Sequence, residues 1–180
     1  MNGPAGACVT DVAPGVLRPD VELRPLEPGD SGAVVAVFRG MGARSRELRF
    51  LLPKARLTGS DVRQLVDVDH RDHVALLAST VPDRRPVAIA RFVRDGDDPG
   101  SAEVAVEVVD DWQRRGVGAM LLSALLRRAV ELDVRRLTMV VSHDNRAVQR
   151  LLRRAPGRVT RTRADRGTTE YVLSLEGGPR

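Results

Sequence analysis

The segment Gln113–Ala119, which reads QRRGVGA, constrains the fold of this chain more than any other stretch. It follows residues 102–110, AEVAVEVVD, whose apolar and polar residues alternate as in a β-strand. It precedes a run in which leucines at 121, 122, 125 and 126 have helical spacing. A glycine-rich turn between a strand and a helix exposes the unpaired amides of the first helical turn, and these amides favour an anion. The segment therefore predicts a strand-turn-helix unit that binds phosphate.

Two common phosphate-binding patterns do not match this turn. A P-loop has Gly-Lys followed by Ser or Thr, and no lysine follows these glycines. The dinucleotide fingerprint has a third glycine three residues after the second, where this chain has Leu121. The pattern that remains is Gln/Arg-x-x-Gly-x-Gly/Ala after a strand.

The predicted elements follow the order β-α-α-β-β-β-α-β-α-β-β. Antiparallel strands followed by a β-α-β crossover predict an α/β (α+β) fold with a mixed sheet and helices on both faces. Glycine and proline without periodicity predict a flexible tail over residues 1–20, followed by one folded domain over 21–176. The strands are predicted at 21–26, 72–79, 85–95, 102–110, 135–142, 158–164 and 168–175, and the helices at 32–41, from 60, at 116–133 and at 144–155.

Positive charge is concentrated in one part of the chain. The whole chain has a formal net charge of +5, but residues 113–166 contain fourteen arginines and only four acidic residues. Such a concentration favours a phosphate-rich partner. Aromatic residues make up only 3% of the chain, so nucleic-acid binding through base stacking is not predicted.

The sequence predicts a cytoplasmic protein. It contains no apolar run long enough for a transmembrane helix, so no membrane partner is expected. The N-terminus lacks the charged and apolar regions of a signal peptide. The single cysteine, Cys8, cannot form an internal disulfide, which agrees with a reducing compartment.

The run VVDDWQRRGVGAMLL, followed by SHDNRAVQRLL, resembles the GCN5-related N-acetyltransferases (GNAT family) over residues 21–175. Further segments, SRELRFL and LTGSDVRQLVDVDHRDHVALLA, are similar to bacterial protein-lysine acetyltransferases. Some of those proteins carry a cyclic-nucleotide-binding domain, for which this chain has no room, so such control is not predicted. The resemblance implies a mostly antiparallel sheet of about seven strands, splayed at the cofactor site and flanked by about four helices.

The resemblance also implies which residues hold acetyl-CoA. The backbones of Val106 and Val108 would pair with the pantetheine arm as an added strand. Asn145 would contact the cofactor, cap the following helix, or do both. The pyrophosphate would be held by the turn itself, that is by Gln113, Arg114, Arg115, Gly116, Val117, Gly118 and Ala119.

Acetylation of an amine requires a base, because a lysine with a pKa of about 10.4 is protonated at neutral pH. Glu103 stands where the resemblance places the glutamate base, and Glu107, four residues on, is the alternative on the same face. The amide of Val108 is the predicted oxyanion donor. The position at which many relatives have a tyrosine acid is Leu152, which leaves Tyr171 or solvent to protonate the thiolate.

Three functions remain open at this stage. The first is acetylation of a protein lysine, the second is acetylation of a small amine, and the third is a non-catalytic acyl-CoA-binding module. The resemblance implies that the segment containing Arg44 and Arg46 lines the acceptor site, where these arginines would contact acidic surface beside the lysine or be solvated. His70 and His73 form too weak a pattern to predict a metal site. A monomer or a homodimer is expected.

Overall fold

The computed structural model describes residues 20–175, which form one seven-stranded sheet with helices on both faces. Residues 1–19 of the predicted tail, with Cys8, lie outside the described residues. The strands are β1 (Val21–Pro25), β2 (His73–Thr80), β3 (Pro86–Arg94), β4 (Ser101–Val108), β5 (Arg136–Ser142), β6 (Arg158–Asp165) and β7 (Thr168–Ser174). The helices are α1 (Ser31–Gly40), α2 (Ala43–Phe50), α3 (Gly59–Val66), α4 (Val117–Glu131) and α5 (Arg146–Leu152), and a 3₁₀ turn spans Asp110–Trp112.

The sheet has the strand order β1-β2-β3-β4-β5-β7-β6. Every neighbouring pair is antiparallel except β4 and β5, which are joined through α4 and run parallel. The predicted mixed sheet of seven strands is therefore confirmed. The helix count is different, because five α-helices flank the described sheet where about four were predicted.

The additional helix is α2, which the sequence analysis treated as irregular chain. Its eight residues, ARSRELRF, include no buried residue, so the apolar periodicity that identifies other helices is missing. Helix α3 begins one residue before the predicted Ser60, because Thr58 is the N-cap and forms a capping box with Asp61. The hydrogen bonds from Thr58, with the ammonium of Lys54, lower the pKa of the Asp61 carboxyl to about 2.

The sheet separates two apolar cores. On one face, Leu121, Leu122 and Leu125 of α4 are fully buried against the sheet in the larger core, which Leu152 of α5 also joins. On the other face, a smaller core packs residues of α1 and α3 against β2 and β3. Side chains of β4 alternate between the two faces: Ala102 and Val104 belong to the larger core, whereas Glu103 and Glu107 lie on the other face.

Candidate active site between β4 and β5

Strands β4 and β5 pair over only three residue pairs, from Ser101 with Arg136 to Glu103 with Thr138. Both strands continue for several residues beyond this point, to Val108 and Ser142. We call the region beyond the last pair the β4–β5 gap. It is the place at which the sequence analysis expected a splayed sheet.

The backbone of β4 directs alternate residues toward the β4–β5 gap. The amide of Val109 donates to the carbonyl of Val87 on β3 (2.9 Å), so the odd-numbered residues of β4 face β3. Because peptide groups alternate along a strand, Val106 and Val108 direct their N–H and C=O groups toward β5. An extended chain entering the gap can therefore pair with Val106 and Val108, the two residues predicted for this role.

The Gln113 side chain points inward to the protein. Its amide nitrogen contacts the carbonyl of Val108 (3.2 Å), the Oδ1 of Asp110 (2.9 Å) and the hydroxyl of Ser45 on α2 (3.2 Å). This residue was predicted to contact pyrophosphate, and the structure shows that its side chain joins the turn to β4 and α2. The Gln113 side chain fixes the start of the turn and donates a hydrogen bond to the Val108 carbonyl. The Val108 N–H still faces the gap.

The turn that follows has an unusual backbone. Arg114 has a φ of 60° and Gly116, the N-cap of α4, has a φ of 86°. Gly116 provides no side-chain cap, and within residues 20–175 the amides of Val117, Gly118 and Ala119 have no hydrogen-bond acceptor. Three unpaired amides at the start of a 15-residue helix are suited to donate hydrogen bonds to an anion, and the contact of the turn with pyrophosphate stays a prediction.

The side chains of the turn lie in different environments. Val117 is fully buried in the larger core, so only its backbone faces the turn. A Cβ on Gly118 would lie 3.5 Å from the Cγ2 of Val108, so this glycine brings α4 close to the edge of the β4–β5 gap. The guanidinium of Arg115 lies over the Trp112 ring, 5.1 Å from its centroid.

Asn145 is the N-cap of α5. Its Oδ1 accepts a hydrogen bond from the amide of Val148 (3.1 Å). The sequence left two roles open for Asn145, a helix cap and a cofactor contact, and the structure shows the helix cap. Contact with a cofactor stays a prediction, and its position directly after β5 is compatible with it.

Glu103 and Glu107 share one face of β4, as predicted, but their surroundings differ. Glu107 is 4% exposed, and its Oε1 lies 3.0 Å from both the Nε and the Nη2 of Arg49 on α2. Glu103 is exposed, belongs to the last residue pair before the gap, and forms no hydrogen bond or ion pair through its side chain with the described part of the chain. The structure thus places a bound carboxylate and an available one on the same strand.

A buried arginine lies on the same face of the sheet. Arg91 of β3 is 4% exposed and donates to the carbonyl of Leu65 (2.6 Å), while its Nε and Nη2 have no partner within residues 20–175. Burial lowers the pKa of Arg91, and the nearby charge of Glu107 opposes that effect. Glu107 therefore compensates positive charge from Arg91 as well as from Arg49.

Helix α2 contacts both sides of the gap. On the β4 side, the amide of Gly42 donates to Asp110 (3.0 Å) and Arg49 binds Glu107. On the β5 side, Arg44 donates to Asp144 in the loop after β5 (2.5 Å). Sequence reasoning missed this arrangement, and Arg49 with it, because a polar helix without buried residues gives no apolar pattern.

The two arginines predicted to line the acceptor site already have partners. Arg44 forms ion pairs with Glu47 and Asp144. The guanidinium of Arg46 donates to the backbone carbonyls of three residues in α1 and the loop after α2, namely Phe38, Arg39 and Ala55. Contact of either arginine with an acceptor would need these interactions to be shared or broken.

The residues considered for the general acid lie away from β4. Leu152 is 3% exposed in the larger core and carries no proton donor. Tyr171 is on β7, which β5 separates from β4, and Arg161 lies 5.8 Å from its ring centroid. Among residues 20–175, no cluster of three or more His, Cys, Asp or Glu is arranged to hold a metal. No described helix is both long and apolar enough to cross a bilayer.

The sequence profile of the Acetyltransferase (GNAT) family matches residues 46–155. The chain belongs to this family. GNAT enzymes take their acyl group from acetyl-CoA, so the donor predicted from the turn is confirmed at the level of the family. The match includes β4, the turn, α4, β5 and α5, which together border the β4–β5 gap.

Individual GNAT proteins are similar over most of the described chain. "Acetyltransferase Pat" of Mycolicibacterium smegmatis is 33% identical over 137 residues, which are 73% of this chain and 39% of that protein. "Acetyltransferase PA5475" of Pseudomonas aeruginosa is 29% identical over 133 residues, 73% of this chain and 71% of that protein. The chain thus spans less than half the length of the Pat protein.

Solved structures show the same fold. The GNAT domain of S. lividans PAT has a TM-score of 0.79 and 27% identity, covering 86% of this chain and 90% of that domain. A cAMP-binding acyltransferase from Mycobacterium smegmatis has a TM-score of 0.58 and 29% identity, covering 85% of this chain and 43% of that structure. These matches confirm the GNAT fold and the resemblance to bacterial acetyltransferases of the Pat type.

Proposed function

We propose that this protein transfers the acetyl group of acetyl-CoA to an amine, and that the acceptor is a lysine side chain of a protein. The observation that carries the proposal is the end of β4–β5 pairing at Glu103 and Thr138, which opens a gap leading to the unpaired amides of α4. A strand edge followed by an anion site matches the two parts of the donor, an extended pantetheine arm and a pyrophosphate.

The donor would bind along β4. The Val106 backbone and the Val108 N–H would pair with the amides of the pantetheine arm, in the manner of an added strand. The pyrophosphate would accept hydrogen bonds from the N–H groups of Gly116, Val117, Gly118 and Ala119, with Arg114 and Arg115 adding positive charge. This arrangement directs the thioester into the gap, toward the end at which Glu103 lies.

Glu103 would act as the general base. The acceptor nitrogen must lose a proton as it attacks the thioester carbonyl, and an exposed carboxylate without an ion pair is free to take it. The nitrogen–carbon bond forms, the carbon–sulfur bond breaks, and the CoA thiolate takes a proton from solvent. Glu107 suits this role less well, because proton uptake would leave Arg49 without its counter-charge.

The choice of a protein lysine rests on the likeness to Pat-type acetyltransferases. Acetylation of a small amine is the alternative within the same chemistry, and an acyl-CoA-binding module without activity is the alternative outside it. The exposed Glu103 favours catalysis over the binding module, because binding of the donor alone does not require a base at that position.

The experiment uses labelled acetyl-CoA with a lysate of the host cell and, separately, with a panel of small amines. Mass spectrometry should identify acetyl-lysine in a small set of proteins. Transfer only to small amines would contradict the proposed acceptor, and tight donor binding without any transfer would support the binding module.

Glu103→Gln tests the base, with acetyl-CoA affinity from calorimetry as the control for an intact donor site. We expect unchanged affinity and a rate lower by about 10²–10⁴-fold, the usual contribution of a general base. An undiminished rate in a variant that still binds donor would refute the assignment of Glu103.

A further inference from the structure

Seven arginines and no acidic residue occur in the eighteen residues from 146 to 163. All seven are exposed, on α5, on the loop after it and on the edge strand β6. The donor site proposed above uses none of them. Arg158 and Arg163 pair with Ser174 and Glu170 and point to the other face of the sheet, away from Tyr171 and α5. We call the remaining group the arginine surface, and its members are Arg146, Arg150, Arg153, Arg154 and Arg161.

No member of the arginine surface forms an ion pair with another residue of the described chain. All the salt bridges among residues 20–175 involve other basic residues. The nearest acidic side chains in sequence have other contacts, since Asp144 binds Arg44 and the Asp165 carboxylate accepts from the Arg166 amide. The surface is therefore a concentration of uncompensated positive charge.

The spacing of these arginines is unfavourable for the helix itself. Arg146 and Arg150 are four residues apart within α5, whereas Arg154 lies beyond the last helical residue, Leu152. Like charges at this spacing destabilise a helix by about 0.2–0.5 kcal/mol per pair. Arginines near the C-terminus of α5 gain something from the helix dipole, but Arg146 at its first position does not. An anionic partner would remove this repulsion.

The dimensions of the surface indicate a macromolecule. Helix α5 is roughly 10 Å long for its seven residues. The surface continues past the helix with Arg153 and Arg154 in the following loop and with Arg161 on the edge strand β6. A small amine cannot contact more than a fraction of the arginine surface. No aromatic ring is exposed there for base stacking, since Tyr171 is 9% exposed beneath Arg161.

We propose that the arginine surface binds an acidic region of the protein acceptor, at a distance from the lysine that is acetylated. The inference rests on the proposed protein-lysine acetyltransferase function and extends it. Helix α5 begins directly after β5, one border of the β4–β5 gap, so a protein bound there is held beside the donor. Charge complementarity of this kind accelerates encounter and is screened by salt.

Binding is tested without turnover, so that it does not depend on acetyl transfer. A fluorescent decaglutamate peptide is the probe, a decaglutamine peptide is its control, and anisotropy is measured at about 50 mM and about 300 mM salt. Arg150→Gln, Arg153→Gln and Arg154→Gln are combined in one variant. The matched control combines Arg63→Gln, Arg85→Gln and Arg127→Gln, three exposed arginines without ion pairs on other parts of the described surface.

We expect wild type to bind decaglutamate in preference to decaglutamine, and the first variant to bind it roughly tenfold more weakly at low salt. The control variant should change affinity less than twofold, and the KM for acetyl-CoA should be unchanged in both. Equal losses in the two variants, or tighter binding of single-stranded DNA than of the peptide, would overturn the proposal. So would an increase in the KM for acetyl-CoA without loss of peptide binding, because the arginines would then serve the donor.

The second measurement uses lysine peptides preceded by a glutamate tract or a glutamine tract. If the proposal holds, the first variant lowers kcat/KM for the glutamate peptide only. Binding of decaglutamate without acetylation of either peptide would refute the proposed function and leave the arginine surface supported.

Discussion

Replacing Glu107 by Gln should separate the roles of the two carboxylates on β4, the buried Glu107 and the proposed base Glu103. The substitution preserves size but removes the charge that binds Arg49 and offsets Arg91. Glu107 is 4% exposed and the Arg49 side chain is 20% exposed, so the ion pair is largely shielded from water. The structure therefore predicts a loss of stability for Glu107→Gln and a loss of rate for Glu103→Gln.

The expected loss of stability for Glu107→Gln follows from the burial of the ion pair. Removing one partner of a buried ion pair destabilises a protein by about 3–5 kcal/mol, because the other charge is left uncompensated. The partial exposure of Arg49 favours the lower figure, about 3 kcal/mol. At about 2–4 °C per kcal/mol for a domain of this size, the Tm should fall by about 6–12 °C. Glu103→Gln changes an exposed residue and should alter stability by less than about 0.5 kcal/mol.

Thermal unfolding by circular dichroism gives the Tm, and initial rates are measured well below it. A double-mutant cycle with Arg49→Met isolates the pair, since the second substitution should do little further harm once Glu107 is neutral. The reasoning would be refuted if Glu107→Gln kept the wild-type Tm and abolished transfer. That result would make Glu107 the base and the ion pair with Arg49 dispensable.

Three further predictions concern other parts of the molecule. Gly118→Ala should stabilise α4 by about 0.5 kcal/mol, because the added Cβ makes only ordinary van der Waals contacts. The same methyl group should crowd the donor and so raise the Kd for acetyl-CoA measured by calorimetry. Asn145→Ala should lower stability by about 1 kcal/mol through loss of the α5 cap, and a parallel rise in the KM for acetyl-CoA would reveal a donor contact. Burial, with the charge of Arg91, lowers the pKa of His73, so wild type should lose stability as the pH falls below about 6.5. The Tm of His73→Gln should depend less on pH across that range, and an unchanged slope would contradict the assignment.

The sequence predicted the parts of the fold whose residues follow a regular apolar pattern. Strand β4 and helix α4 were recognised because valines and leucines repeat with periods of two and of three to four. The turn between them was recognised because glycine tolerates the positive φ found at Gly116. These local signals were enough to predict the strand-turn-helix unit, and with it a turn whose amides are unpaired.

The environment of the two glutamates could not be predicted from the sequence. Their common face follows from their spacing, but Glu107 is buried because α2 covers it and Arg49 binds it. Helix α2 is held by polar contacts to residues distant in sequence, such as Asp110 and Asp144, and such contacts have no local signature. The role of Asn145 could not be predicted either, because a helix cap and a cofactor contact are expected from the same sequence pattern.

The short pairing between β4 and β5 also divides the sheet mechanically. Three residue pairs join the half formed by β1–β4 to the half formed by β5, β7 and β6, whereas seven pairs join β5 to β7. Helix α4 packs on β2, β3 and β4 in the first half, and further contact between the halves is made through the side chains of the larger core. Native-state hydrogen exchange should therefore resolve two units that open separately. A donor lying between β4 and β5 would contact both units, and its binding would make them unfold together.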